Sequence, residues 1–120
     1  MPPQKFSEIS NSADFFKKLC DNTGLVIIKF GATWCGPCKK IQPIVSKRIE
    51  EFPENVQYYD IDIDDHIELY GYLRTKKMVN GVPAILYWVK GNVNFAPDGV
   101  VIGGNEIEVN KFFDVCKSKL

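Results

Sequence analysis

Thr33-Trp-Cys-Gly-Pro-Cys-Lys-Lys40 sets two thiols three residues apart, directly after the apolar run Leu25-Val-Ile-Ile-Lys-Phe30. The run is β-branched and aromatic and predicts a strand, whereas Ile41, Ile44, Val45, Ile49 and Phe52 recur at helical spacing and predict a helix from Cys35 to about Phe52. The two cysteines therefore open a helix. A side chain at the N-cap can accept a hydrogen bond from the amide three residues on, and the helix dipole favours negative charge there, so Cys35 is the expected thiolate. Gly36 adds no bulk beside an incoming substrate, and Pro37 lacks only an N–H that the first turn leaves unpartnered anyway. Cys38 is expected one turn in and less exposed. Residues i and i+3 of a helical turn have β-carbons about 5–6 Å apart, so this redox dithiol can close and open a disulfide. The competing assignment, half of a zinc site, needs a second pair of ligands, and only Cys20, Cys116 and His66 remain, as scattered singles. No metal is expected.

With Trp34 before the first cysteine and Gly36-Pro37 between the two, Ala32 to Lys39 resembles the active-site segment of the thioredoxin family. The resemblance extends over essentially the whole chain; its specific parts are Trp34 to Cys38 and Val82-Pro83. It implies the thioredoxin fold, an α/β architecture with a central mixed β-sheet flanked by helices on both faces. It also implies a protein disulfide reductase: Cys35 attacks, a mixed disulfide forms, and Cys38 resolves it to the Cys35–Cys38 disulfide. Trp34, Gly36 and Pro37 would support the dithiol, and Trp34 would also meet substrate. The family needs no bound cofactor and is recharged by a flavin-dependent thioredoxin reductase using NADPH, so the implied partners are that reductase and disulfide-containing proteins, met by a monomer. In the family the proline matching Pro83 is cis and lies beside the first cysteine, where the backbone of Val82 would pair with an extended substrate segment. Read without the family, Pro83 simply opens a strand. Gly103-Gly104 matches a loop that lies against the dithiol and admits substrate backbone, and is otherwise a strand-to-helix turn. Two other functions share much of this pattern: a redox-gated protein-binding module, and an oxidase of the disulfide isomerase type, which usually carries His where this chain has Pro37.

One position departs from the family. Typical members carry a buried Asp six residues before the first cysteine, and Lys29 stands there. Aligning Asp60-Ile-Asp-Ile-Asp64 on the third strand puts Asp60 where some members have the facing Lys. The implied arrangement is an exchanged pair beneath the dithiol, Lys29 holding the Cys35 thiolate while Asp60 or a water takes the proton of Cys38. The alternative is a Lys29 that snorkels to water and takes no part.

A chain of 120 residues, 45% hydrophobic and 25% charged, suits one domain over 1–120. Fifteen basic and fifteen acidic side chains in no long block give no footprint for nucleic acid or an anionic membrane. The N-terminus has no apolar signal core, and Val82 to Val89 is too short to cross a bilayer. A reducing, cytoplasmic setting, with a part in electron transport and cell redox homeostasis, is the expectation.

Along the chain, the pattern predicts an edge strand in Lys5 to Ile9. A helix follows, capped by Asn11-Ser12, that turns Phe15, Phe16, Leu19 and Cys20 inward. Strand Val56 to Ile63 leads to Asp64, Asp65 and His66, which with Asp62 read as a solvated strand end rather than metal ligands. A short helix over Ile67 to Leu73 and a connection to Val82 longer than usual precede strand Val82 to Val89. The turn Lys90-Gly-Asn92, an extension over 93–99 and strand Val100 to Ile102 come next. Asn105 with Glu108 starts a last helix expected to bury Ile107, Phe112, Phe113, Cys116 and Leu120. Cys20 and Cys116 are thus expected as small core residues.

Overall fold

Every residue of Leu25–Gly31 is buried, as a strand covered on both faces requires. The computed structural model describes residues 2–120. In chain order these form β1 (Gln4–Phe6), α1 (Ser12–Cys20), β2 (Leu25–Gly31), α2 (Gly36–Ile49), β3 (Val56–Asp62), α3 (Ile67–Thr75), β4 (Ala84–Val89), β5 (Gly99–Ile102) and α4 (Glu106–Ser118). The sheet order is β1-β3-β2-β4-β5. β3 runs parallel to β1 and β2, and β4 antiparallel to β2 and β5, so the sheet is mixed. Parallel neighbours need crossover helices, which cover the sheet faces.

Alternation along β2 divides the core. Val26, Ile28 and Phe30 pack with Phe15 and Leu19 of α1 and Leu69 and Leu73 of α3. Leu25 and Ile27 pack on the other face with Ile41, Val45 and Ile49 of α2 and with Val109, Phe112 and Phe113 of α4. Each large apolar side chain so buried contributes about 1.5–3 kcal/mol. Lys29 and Gly31 continue the second series, which directs them to the face that α2 covers. The first and last helices lie on opposite faces, as the family resemblance implies.

Several boundaries differ from the sequence pattern. α2 begins at Gly36, with Cys35 as its N-cap, and ends at Ile49; Phe52 is still buried, from the turn beyond. Ile63 leaves the strand and enters a short 3-10 turn, Ile63–Asp65. Cys20 is exposed: the buried stripe of α1 is Phe15 and Leu19, and the next residue is rotated by about 100° from Leu19 in a helix of 3.6 residues per turn. Ile107 and Leu120 are also exposed, because the stripe of α4 runs through Val109, Phe112, Phe113 and Cys116. Asn11 and Asn105 cap α1 and α4, accepting from the amides of Asp14 at 2.9 Å and Glu108 at 3.0 Å.

The extension over 93–99 closes over the core. Trp88, fully buried, donates its indole N–H to the carbonyl of Asn94 at 3.0 Å, and Asp98 accepts from the amide of Val89 at 2.8 Å. A buried indole needs that acceptor, and the extension supplies it.

Candidate active site

Cys35 holds an extended backbone, φ −89° and ψ 108°, at the N-cap of α2, and its Sγ accepts the amide of Cys38 at 3.1 Å. Cys35 and Cys38 are joined in a disulfide with their Cα atoms 5.3 Å apart. Their exposures, 4% and 5%, correct the expected contrast between an open first and a covered second sulfur.

Trp34 is 65% exposed, and its indole N–H donates to Asp64 Oδ2 at 2.9 Å. Asp64, read from sequence as a solvated strand end, therefore holds the tryptophan beside the dithiol. Asp62 is engaged too, its Oδ1 accepting from the amide of Asp64 at 2.9 Å. The carbonyl of Asp62 lies 2.8 Å from His66 Nδ1. A carbonyl only accepts, so Nδ1 is the donor in this contact, and Nε2 lies 3.3 Å from Glu8 Oε2. Among the described residues no group of three or more His, Cys, Asp or Glu is placed to hold a metal ion.

Val82-Pro83 is a cis peptide bond just ahead of β4. The carbonyl of Pro83 accepts from the amide of Gly103 at 2.8 Å, and a β-carbon on Gly104 would come within 3.0 Å of Pro37 Cβ. Pro83, itself buried, thus adjoins Gly103, and Gly104 adjoins Pro37 next to the exposed Gly36. Gly103 has φ +102°, which disfavours any side chain there.

Beneath the helix, Lys29 Nζ donates to Gln42 Oε1 at 2.7 Å and lies 3.7 Å from Asp60 Oδ1. The lysine side chain is 5% exposed and the aspartate 44%, and the two residues are paired in register across β2 and β3. A β-carbon on Gly31 would lie 3.6 Å from both Lys29 Nζ and Cys38 Sγ. Lys29 Nζ and Cys38 Sγ therefore border the same space beside Gly31. Lys29, Gly31, Cys38, Gln42 and Asp60 all border a cleft of about 580 Å³. Gln42 was not singled out from sequence, although it follows Cys38 by four residues and so shares its helix face.

The two remaining thiols differ from each other. Cys20 is exposed. Cys116 is fully buried, and burial pushes its thiol far above the ordinary 9.0, against a weaker opposing pull from the Arg48 guanidinium. No helix among the described residues is long and apolar enough to cross a membrane.

The thioredoxin family model matches residues 6–111. A thioredoxin of Aspergillus fumigatus is 34% identical over 86 residues, 70% of this chain and 74% of that protein. Thioredoxin-1 of Saccharomyces cerevisiae is 37% identical over 67 residues, and the match spans 56% of this chain and 60% of the yeast protein. Among solved structures, the thioredoxin of Fasciola hepatica superposes with TM-score 0.69 at 26% identity, over 93% of this chain and 97% of that one. The thioredoxin of Schistosoma mansoni superposes with TM-score 0.70 at 22% identity, over 98% and 99%, a likeness of fold.

Proposed function

The chain belongs to the thioredoxin family, and we propose that it is a protein disulfide reductase acting through Cys35 as nucleophile and Cys38 as resolving thiol. In the dithiol state the Cys35 thiolate attacks one sulfur of a substrate disulfide. That S–S bond breaks, its far sulfur leaves as a thiolate and takes a proton, and Cys35 is left in a mixed disulfide. Cys38 then loses its proton to Asp60 or to water, and its sulfur attacks Cys35 Sγ. The bond between Cys35 and substrate breaks, and the second substrate sulfur leaves and is protonated. Two electrons have passed to the substrate, and the site is the Cys35–Cys38 disulfide.

The observation that carries this reading is the amide of Cys38 donating to Cys35 Sγ at the start of α2. That bond and the helix N-terminus both favour negative charge on the sulfur. Trp34, Val82, Pro83, Gly103 and Gly104 form the surface that receives the substrate segment, with Val82 offering its backbone. Gly36 and Pro37 keep the approach to Cys35 clear, and Lys29 and Asp60 support the dithiol from the sheet. No cofactor is bound; a flavin-dependent thioredoxin reductase using NADPH recharges the disulfide, and a reducing compartment such as the cytoplasm suits that cycle.

Reduction of a protein with an accessible disulfide, supplied with an external reductant, tests the reading. The wild type turns over, and Cys38→Ser stalls as a mixed disulfide that mass spectrometry detects on Cys35. A binding module would show no turnover in either protein, and that result would overturn the reading.

A further inference from the structure

The cleft behind Cys38 holds a buried cation that the cycle above leaves without a defined task. We propose that Lys29 is a positioning residue whose ammonium stabilises the thiolate of Cys38, so that the resolving thiol is activated by a fixed positive charge. This rests on the dithiol being the reductase site, and it refines one step of that cycle: the proton of Cys38 passes to solvent, and Asp60 is a counter-charge to Lys29, not a base.

Three features of the geometry point this way. First, β2 directs Lys29 to the α2 face, and Nζ and Cys38 Sγ share the space beside Gly31, each 3.6 Å from the position a β-carbon would take there. Second, the close partner of the ammonium is neutral. Gln42 Oε1 accepts from Nζ at 2.7 Å, and Gln42 Nε2 donates to Ser46 Oγ at 3.1 Å, which fixes the amide with its oxygen toward the lysine. A neutral acceptor orients the charge without cancelling it. Third, the other charges bordering the cleft are more open to water. From β3 these are Asp60, 44% exposed and 3.7 Å from Nζ, and Asp62, whose carboxylate already accepts the amide of Asp64. From α2 it is Lys39, which is exposed. Solvent screens exposed charges far more than buried ones, so Lys29 is the least screened charge bordering the cleft.

The effect matters most in the mixed disulfide. There Cys35 carries no thiolate to repel a second one, and Lys29 acts on Cys38 alone. A nearby opposite charge favours the ionised form of an acid.

The test uses full-length Cys35→Ser, in which Cys38 is the only thiol of the pair, as in the mixed disulfide. The rate of Cys38 alkylation is followed against pH by peptide mass spectrometry, which separates Cys38 from Cys20 and Cys116. Adding Lys29→Met is expected to raise the midpoint by about one pH unit or more, and Asp60→Asn to lower it. Lys29→Gln provides the same loss of charge should the methionine variant fold poorly, and circular dichroism checks each. Midpoints unchanged on loss of the Lys29 charge in folded protein would overturn the proposal. So would Asp60→Asn slowing resolution of the mixed disulfide in the Cys35-containing protein, which would make Asp60 the base. Because the alkylation profile needs no turnover, it stands apart from failure of the wild type to reduce a protein disulfide, which would sink the reductase reading instead.

Discussion

Cys38 and Cys116 lie on the same face of the sheet, one at the start of α2 and the other near the end of α4, and neither is more than 5% exposed. Around Cys116 the neighbours are Phe112, Phe113 and the rest of an apolar cluster, and burial leaves its thiol protonated far above the ordinary range. Cys38 borders a cleft, is linked to Cys35 and shares the space beside Gly31 with the Lys29 ammonium. Burial raises the free energy of a thiolate in both places. What separates a reactive thiol from an inert one is whether a dipole, amide or cation outweighs burial; at Cys116 the pull of Arg48 does not, whereas the Cys38 end lies at a helix N-terminus beside a cleft and a buried ammonium.

The contrast is broken most directly by exchanging which thiol is lost. Cys35→Ser should abolish reduction of a protein disulfide, whereas Cys116→Ala and Cys20→Ser should retain most of it, as read by single-substrate turnover. Equal losses from Cys116→Ala in folded protein would show that the two ends are coupled.

Next in size, Phe113→Ala should lower stability by about 3–5 kcal/mol in denaturant unfolding, since it empties a fully buried site between α2 and α4. Below the unfolding transition its dithiol should still react at the wild-type pH, because the cavity lies at the apolar end.

The pH dependence of stability sharpens the comparison further. The folded-state pKa of Cys116 is raised above its ordinary 9.0, so above that pH the unfolded chain sheds a proton that the native protein keeps, and stability falls. The loss is about 1.4 kcal/mol per pH unit in that window. Tyr58 and Tyr59, raised by burial, add to the fall beyond pH 10. Cys116→Ala should flatten the slope from pH 9 upward by the share of one proton, measured by denaturant midpoints in oxidised protein. An unaltered slope would remove the buried thiol from the account.

The smallest effect belongs to Asp64→Asn. Its bond to Trp34 is exposed, where water can take the place of either partner, so global stability should hardly change. The indole should become less ordered, with a several-fold rise in KM for a protein substrate, while alkylation of the free dithiol stays as in wild type.

The dithiol and its strand and helix were legible because their signals are local. Cys35 as N-cap, Pro37 in the first turn and the alternation of Leu25 to Phe30 each depend on residues within a few positions. Asn11 and Asn105 were found as caps for the same reason. Helix faces were read less well: Cys20, Ile107 and Leu120 carry apolar side chains that the packing leaves outside. A helical periodicity fixes which residues share a stripe, yet the end of a stripe depends on where the partner element stops. The extension over 93–99 had no assignment from sequence, since its role, covering Trp88, depends on a backbone carbonyl that any residue could offer.

Local pattern alone says that two thiols open a helix behind a buried strand and that Lys29 stands in that strand; the family resemblance adds that a carboxylate at Asp60 could answer it. Tertiary structure decided the rest of the site. The register of β2 against β3 set Asp60 across from Lys29, the packing of α2 on the sheet brought Gln42 to the ammonium, and Gly31 left a space that both the ammonium and Cys38 border. The reason is range: capping and strand patterns are fixed by bonds between near neighbours in the chain. The direction of one buried charge is fixed by strand register and helix packing between segments far apart, which only the folded molecule settles.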